Sequence, residues 1–162
     1  MKFTFSLLLL LLSLKGFSQY SIKSDTIIDG RVNAELLVKE CEWYRQGYKY
    51  YLPKKNIIKK IRKRSADIMF IVVFGAWCTD SRMYVPMFFK VLNRAGFSTD
   101  KVDMIAVNRN KVSELVDVTN LRATLVPTFI VLDHGKEKGR IVENMTESME
   151  EDLLRILKKK HG

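Results

Sequence analysis

A small α/β sandwich, a sheet with helices packed on it, is the architecture this sequence predicts. Three observations carry it. Ile68-Met69-Phe70-Ile71-Val72-Val73-Phe74 is an unbroken apolar run of strand length that stops at Gly75. Its β-branched character favours a strand buried on both faces, the kind found inside an α/β sheet. A helical pattern from Thr79 to Ala95 and a second apolar strand from Val102 to Val107 complete a strand–helix–strand unit. A hairpin and an amphipathic C-terminal helix then close the order, so sheet and helices have matching apolar faces to bury against each other.

The elements follow in order. Lys2, the apolar stretch Phe5 to Leu12 and the small-residue region around Gly16 and Ser18 run in the sequence of a secretory leader. The apolar run is shorter than the roughly 20 residues that cross a bilayer. Residues 1–18 are therefore expected to be a signal peptide, and the mature chain to be exported, periplasmic or secreted. Residues 19–65 are expected to form an N-terminal helical extension. After a polar start near Ser21 to Arg31, Leu36, Leu37, Cys41, Tyr44 and Tyr48 give helical spacing over Val32 to Tyr48. Pro53 then opens a second helix, Lys54 to Arg64.

That second helix holds most of the charge. The chain carries a net charge of +10, and +8 once Lys2 and Lys15 leave with the leader. Seven basic residues crowd into positions 54–64, with Ile57, Ile58 and Ile61 making one apolar face between them. Two readings stand open: a solvated surface helix docked through its isoleucines, or contact with an anionic membrane surface or an acidic partner. Nucleic acid fits poorly with export, and no recognised DNA- or RNA-binding motif accompanies the charge.

Beyond the central strand, Met83, Met87, Phe88, Val91 and Leu92 mark the buried side of the helix Thr79 to Ala95, and Pro86 should kink it. Val112 to Leu121 reads as a short helix or turn. Phe129 to Leu132 and Ile141-Val142 are strands joined by Asp133-His134-Gly135. In the last helix Met149, Leu153, Leu154, Ile156 and Leu157 form the buried face, and Asn144 with Glu147 has capping-box spacing. The domain proper is expected over residues 66–162.

Chemistry centres on Phe74-Gly75-Ala76-Trp77-Cys78-Thr79-Asp80-Ser81. A buried strand ends, a loop turns, and a cysteine stands where the next helix begins. Unpaired N–H groups and the positive end of the helix dipole favour thiolate there. A free cysteine titrates near about 8.5, and at helix starts values of roughly 3.5–7.5 are known. Arg82 would add to the effect and Asp80 would oppose it.

Trp77-Cys78-Thr79-Asp80-Ser81 resembles the Trp-Cys-x-x-Cys motif of the thioredoxin superfamily, with serine at the second cysteine position. Pro86 stands where thioredoxins carry their kinking proline, and Val126-Pro127-Thr128-Phe129 is similar to their cis-proline loop. The resemblance covers roughly residues 66–160. It implies a thioredoxin-like fold, a central mixed sheet flanked by helices, with the helical extension before it. Together with Gly139-Arg140-Ile141-Val142-Glu143, the Trp-Cys-x-Asp-Ser motif is similar to a group of exported bacterial thioredoxin-like proteins.

The resemblance also implies roles. Cys78 is the nucleophile, Ser81 helps hold its thiolate, Trp77 shapes the surface, and Val126, Pro127 and Thr128 receive the substrate chain as an added strand. Two departures change the chemistry. Ser81 replaces the resolving thiol, so the motif cannot close an internal disulfide. Val72 fills the strand position where thioredoxins keep a buried acid. The expected activity is monothiol exchange with exported thiol or disulfide proteins or small thiols. A redox-inactive module that uses the cis-proline groove to bind peptides is the alternative. Cys41, the other cysteine, is either a distant resolving thiol or a small apolar residue on a buried helix face. Two cysteines without a Cys-x-x-Cys pair or a histidine cluster give no zinc pattern, and no cofactor is implied.

Overall fold

The apolar run at the centre of the sequence is the centre of the sheet. The computed structural model describes residues 20–24, 26–64 and 67–159; the expected leader and His161 lie outside the described residues. Strands β1 (Tyr20–Ser24) and β2 (Ile27–Val32) come first, then helices α1 (Ala34–Glu40), α2 (Glu42–Tyr50) and α3 (Lys55–Arg62). The strand–helix–strand unit is β3 (Ile68–Phe74), α4 (Thr79–Ala95) and β4 (Val102–Ala106). Strands β5 (Thr128–Asp133) and β6 (Lys136–Val142) and helix α5 (Met149–Lys158) complete the chain.

The six strands run in the order β1-β2-β4-β3-β5-β6. Only β3 and β4 are parallel; every other pair is antiparallel, so the sheet is mixed as expected. Alternation along β3 divides the molecule. Ile68, Phe70, Val72 and Phe74 join a core that receives side chains from all five helices, including Leu37, Tyr44, Ile61, Phe88 and Leu153. Ile71 and Val73 point to the other face, where Ile105, Val107, Val118 and Val126 make a smaller cluster with Leu121, from a single 3-10 turn over Thr119–Leu121, packed on it. The sandwich is two-layered, with its α-helices on one side and the segment 107–126 on the other.

Three features depart from the sequence reading. The polar start 21–31 is a β-hairpin, and Val32 belongs to its second strand, not to the following helix. Strand β2 pairs with β4, and Ile28 and Val32 are buried in the main core. The N-terminal extension is therefore not wholly helical, and its hairpin widens the same sheet. Its alternating residues Tyr20, Ile22 and Ser24 are the pattern of an edge strand, too short and polar to stand out.

Second, the helix expected over Val32 to Tyr48 is broken at Cys41, whose backbone is extended. The Arg45 guanidinium takes the carbonyls of Val38 and Lys39 at the end of α1, at 2.7 and 3.0 Å, and is held there by Glu42. Those contacts satisfy acceptors that the break would otherwise leave bare. Third, the cap of α5 is Ser148, which accepts from the Glu151 N–H while its hydroxyl donates to the Glu151 carboxylate at 2.7 Å. The Asn144–Glu147 spacing had the right composition four residues early.

Two packing details position α4. Pro86 is buried within it, and α2 crosses at that point through Gly47. A Cβ on Gly47 would stand 2.5 Å from the Pro86 ring, so only glycine lets the two helices meet. At its far end α4 stops at Gly96, with a φ of 87°, and the Phe97 N–H returns to the Leu92 carbonyl at 3.1 Å. Helix α3 lacks a side-chain cap of its own. The buried Glu150 carboxylate of α5 supplies one, accepting the Lys54 N–H at 2.9 Å together with the Tyr51 hydroxyl.

Candidate functional site

Strand β3 delivers Phe74 and Gly75 to the edge of the sheet, and the chain turns over Gly75-Ala76-Trp77 into α4. The turn is closed by the Cys78 N–H, which donates to the Gly75 carbonyl at 2.9 Å. Cys78 is the N-cap of α4, and its carbonyl accepts the first helical bond, from Arg82 at 3.0 Å. Its thiol makes no cap bond of its own, so the first-turn N–H groups keep their partial positive charge toward the sulfur's end of the helix.

The Cys78 thiol donates to the Val126 carbonyl at 3.4 Å. Val126 is the residue before Pro127, and the bond between them is cis. Residues 48 apart in sequence thus meet at one sulfur. The loop is fixed from both ends. The Thr128 hydroxyl donates to the Leu125 carbonyl at 2.7 Å, and the Glu143 N–H donates to the Pro127 carbonyl at 2.8 Å. Val126, Pro127 and Thr128 have buried side chains, while Leu125 beside them is 43% exposed. What these three residues offer a partner is therefore backbone, and the exposed apolar side chain of the loop is Leu125.

Trp77 is half-buried against the small cluster. Its indole N–H donates to the Val107 carbonyl at 2.9 Å, and the Arg109 guanidinium lies 5.0 Å over the ring. The ring rests on Gly75, where an added Cβ would come within 2.6 Å of it. Glycine at that position is a condition of the indole's placement. Arg109 and Leu125 are the site residues that sequence reasoning missed. In sequence Asn108 to Lys111 is a polar patch after a strand, and nothing in its composition says that it folds back over Trp77.

Ser81 is fully buried, and its hydroxyl accepts the Gly75 N–H at 3.2 Å. It ties the first turn of α4 to the end of β3 and so holds the loop that carries Cys78. Val72 is fully buried in the helix-side core. Cys41 is fully buried in that same core, whereas Cys78 packs on the cluster of the opposite face. The structure does not bring the two sulfurs together, and they form no disulfide.

His134 stands in the β5–β6 turn, 3.7 Å from Asp133 and 3.9 Å from Asp67, away from the thiol. Among the described residues no three His, Cys, Asp or Glu side chains are grouped to hold a metal ion. Among them, too, no helix is long and apolar enough to cross a membrane.

Comparison with known proteins matches this geometry at the level of the fold. No curated protein matches the chain. Among solved structures, it is similar to a protein of unknown function from Pseudomonas aeruginosa, with 13% identity and a TM-score of 0.51 over 71% of this chain and 79% of that one. It is also similar to an HIV epitope-scaffold, with 15% identity and a TM-score of 0.50 over the same shares. A family model described as thioredoxin matches residues 35–159. That span runs from α1 to the end of α5 and takes in both the Cys78 loop and the cis-proline loop, so the chain belongs to the thioredoxin family.

Proposed function

We propose that this protein is a monothiol thiol–disulfide exchanger acting through Cys78 on exported protein or small-thiol partners. Membership of the thioredoxin family narrows the role to redox chemistry or binding. The observation that carries the redox reading is the Cys78 sulfur at a helix start, half-exposed and directed at the Val126 carbonyl. A partner chain laid along the cis-proline loop as an added strand would present its own sulfur beside that of Cys78.

The exchange runs in two steps. The Cys78 thiolate attacks one sulfur of a partner disulfide, forming a mixed disulfide and releasing the other partner sulfur as thiolate. With serine at position 81, a second thiol from solution attacks the mixed disulfide, takes the partner sulfur and returns Cys78 as thiolate. Ser81 serves as a positioning residue that holds the loop, through its bond to Gly75. Cys41 has no part in the cycle, because it lies in the other core.

Turnover of a disulfide-linked peptide with a small thiol as reductant tests this. Wild type and Cys41→Ser should turn over at the same rate, and Cys78→Ser should lose turnover entirely. Loss in Cys41→Ser would make it the resolving thiol after all. No turnover by folded wild-type protein would overturn the redox reading and leave the groove as a peptide-binding module.

A further inference from the structure

We propose that helix α3 and the groove beside it dock the protein on an anionic lipid bilayer, with Cys78 held at the opposite end of α4. The groove encloses about 590 Å³ between α3 and the end of α4 and is lined by Leu52, Pro53, Lys55, Ile58, Lys59, Arg62 and Arg94. Its floor is apolar, four cations stand around it, and no carboxylate is among its lining residues. Lys55, Lys59 and Arg62 lie at i, i+4 and i+7 and so share one stripe of the helix.

The surface offers the two features that a charged membrane interface takes together. Leu52 is 81% exposed and Tyr50, two residues earlier, is 70% exposed. An apolar side chain and an aromatic ring of that exposure suit the boundary between headgroups and acyl chains. Lys55, Lys59 and Arg62, which line the groove with Leu52, are exposed. Of the basic residues from 54 to 64, Lys54 is held by Glu151 at 2.6 Å. Four cations standing around an apolar floor with Leu52 exposed beside it match the layering of an anionic bilayer, headgroup charge over acyl chain. That is the occupant assigned to the groove; an acidic protein partner is the other outcome of the test.

The arrangement also has a direction. Cys78 caps the N-terminus of α4, and Arg94, in the last turn, lines the groove. Sixteen residues at 1.5 Å each place them about 24 Å apart. Docking through α3 would leave the thiol facing the aqueous side, where soluble partners reach it. The inference stands on different residues from the thiol chemistry, and either can fail alone.

Vesicle co-sedimentation of the full chain tests it, with neutral phosphatidylcholine vesicles against vesicles containing phosphatidylglycerol. Binding should rise with anionic lipid content. In the triple variant Lys55→Gln/Lys59→Gln/Arg62→Gln the partition coefficient should fall about a hundredfold, since each basic residue near the surface contributes about fivefold. A control variant, Lys23→Gln/Lys39→Gln/Lys136→Gln, changes net charge equally at remote exposed sites and should bind within about threefold of wild type. The apolar segment 5–12 is common to all three proteins. Equal losses in the two triple variants, binding indifferent to anionic lipid, or release from vesicles by soluble polyglutamate but not by salt would overturn the proposal.

Discussion

At the level of single residues, few contacts place the Cys78 sulfur. Cys78 is set by its own N–H to Gly75, by its bond to the Val126 carbonyl and by the Ser81 clasp on the same glycine. Gly75 is thus touched by all three of Trp77, Cys78 and Ser81. Substituting Gly75→Ala should push the indole off its seat and break its bond to Val107, at a cost of about 1–3 kcal/mol for the forced contact. Trp77 emission should shift to the red against the unchanged Trp43, measured alongside denaturant unfolding. Unaltered emission and stability would show that the indole does not lie where the structure has it. Much of the site was readable from sequence because the tryptophan, cysteine, serine and proline stand at distinctive spacings. Arg109 and Leu125 were not, because their roles depend on where a long, mostly irregular loop comes to rest.

Among the elements, sequence served best where apolar patterns were long and worst where short polar segments are held by distant partners. Strand β3, α4 and α5 stood out through runs and periodicity that their own cores demand. Hairpin β1–β2 and the break at Cys41 did not, since one depends on pairing with β4 and the other on Arg45 reaching back to α1. The junction of α3 with α5 shows the same dependence and has a pH signature. Burial and the hydrogen bond to Glu150 raise the Tyr51 phenol above its ordinary range. A phenol raised in the folded state stabilises fully below its unfolded value near about 10, and that stability is lost as pH rises beyond it. Wild type should therefore lose more stability between pH 8 and pH 11 than Tyr51→Phe does, by parallel urea titrations. Tyr44, raised likewise by burial, is present in both proteins and cancels from the comparison. Equal losses would remove Tyr51 from the alkaline transition.

For the whole molecule, the one-sided helical layer ties the N-terminal residues to the half that carries Cys78. Ile28 and Val32 of β2 share a core with Phe88 and Leu153, so the hairpin is part of the packed structure. Ile28→Ala should cost about 2–5 kcal/mol in a single cooperative unfolding transition. A separate early transition, or no loss, would mark the hairpin as an independent appendage. The same layering keeps Cys41 among the helices and Cys78 on the opposite face, an arrangement that supports the proposed one-thiol chemistry. Intact-mass analysis after challenge with an oxidised small thiol tests that claim most directly, on wild type, Cys78→Ser and Cys41→Ser. The account predicts one adduct on wild type and on Cys41→Ser, and none on Cys78→Ser. An adduct that forms on wild type and then disappears as an internal disulfide, but persists on Cys41→Ser, would contradict it.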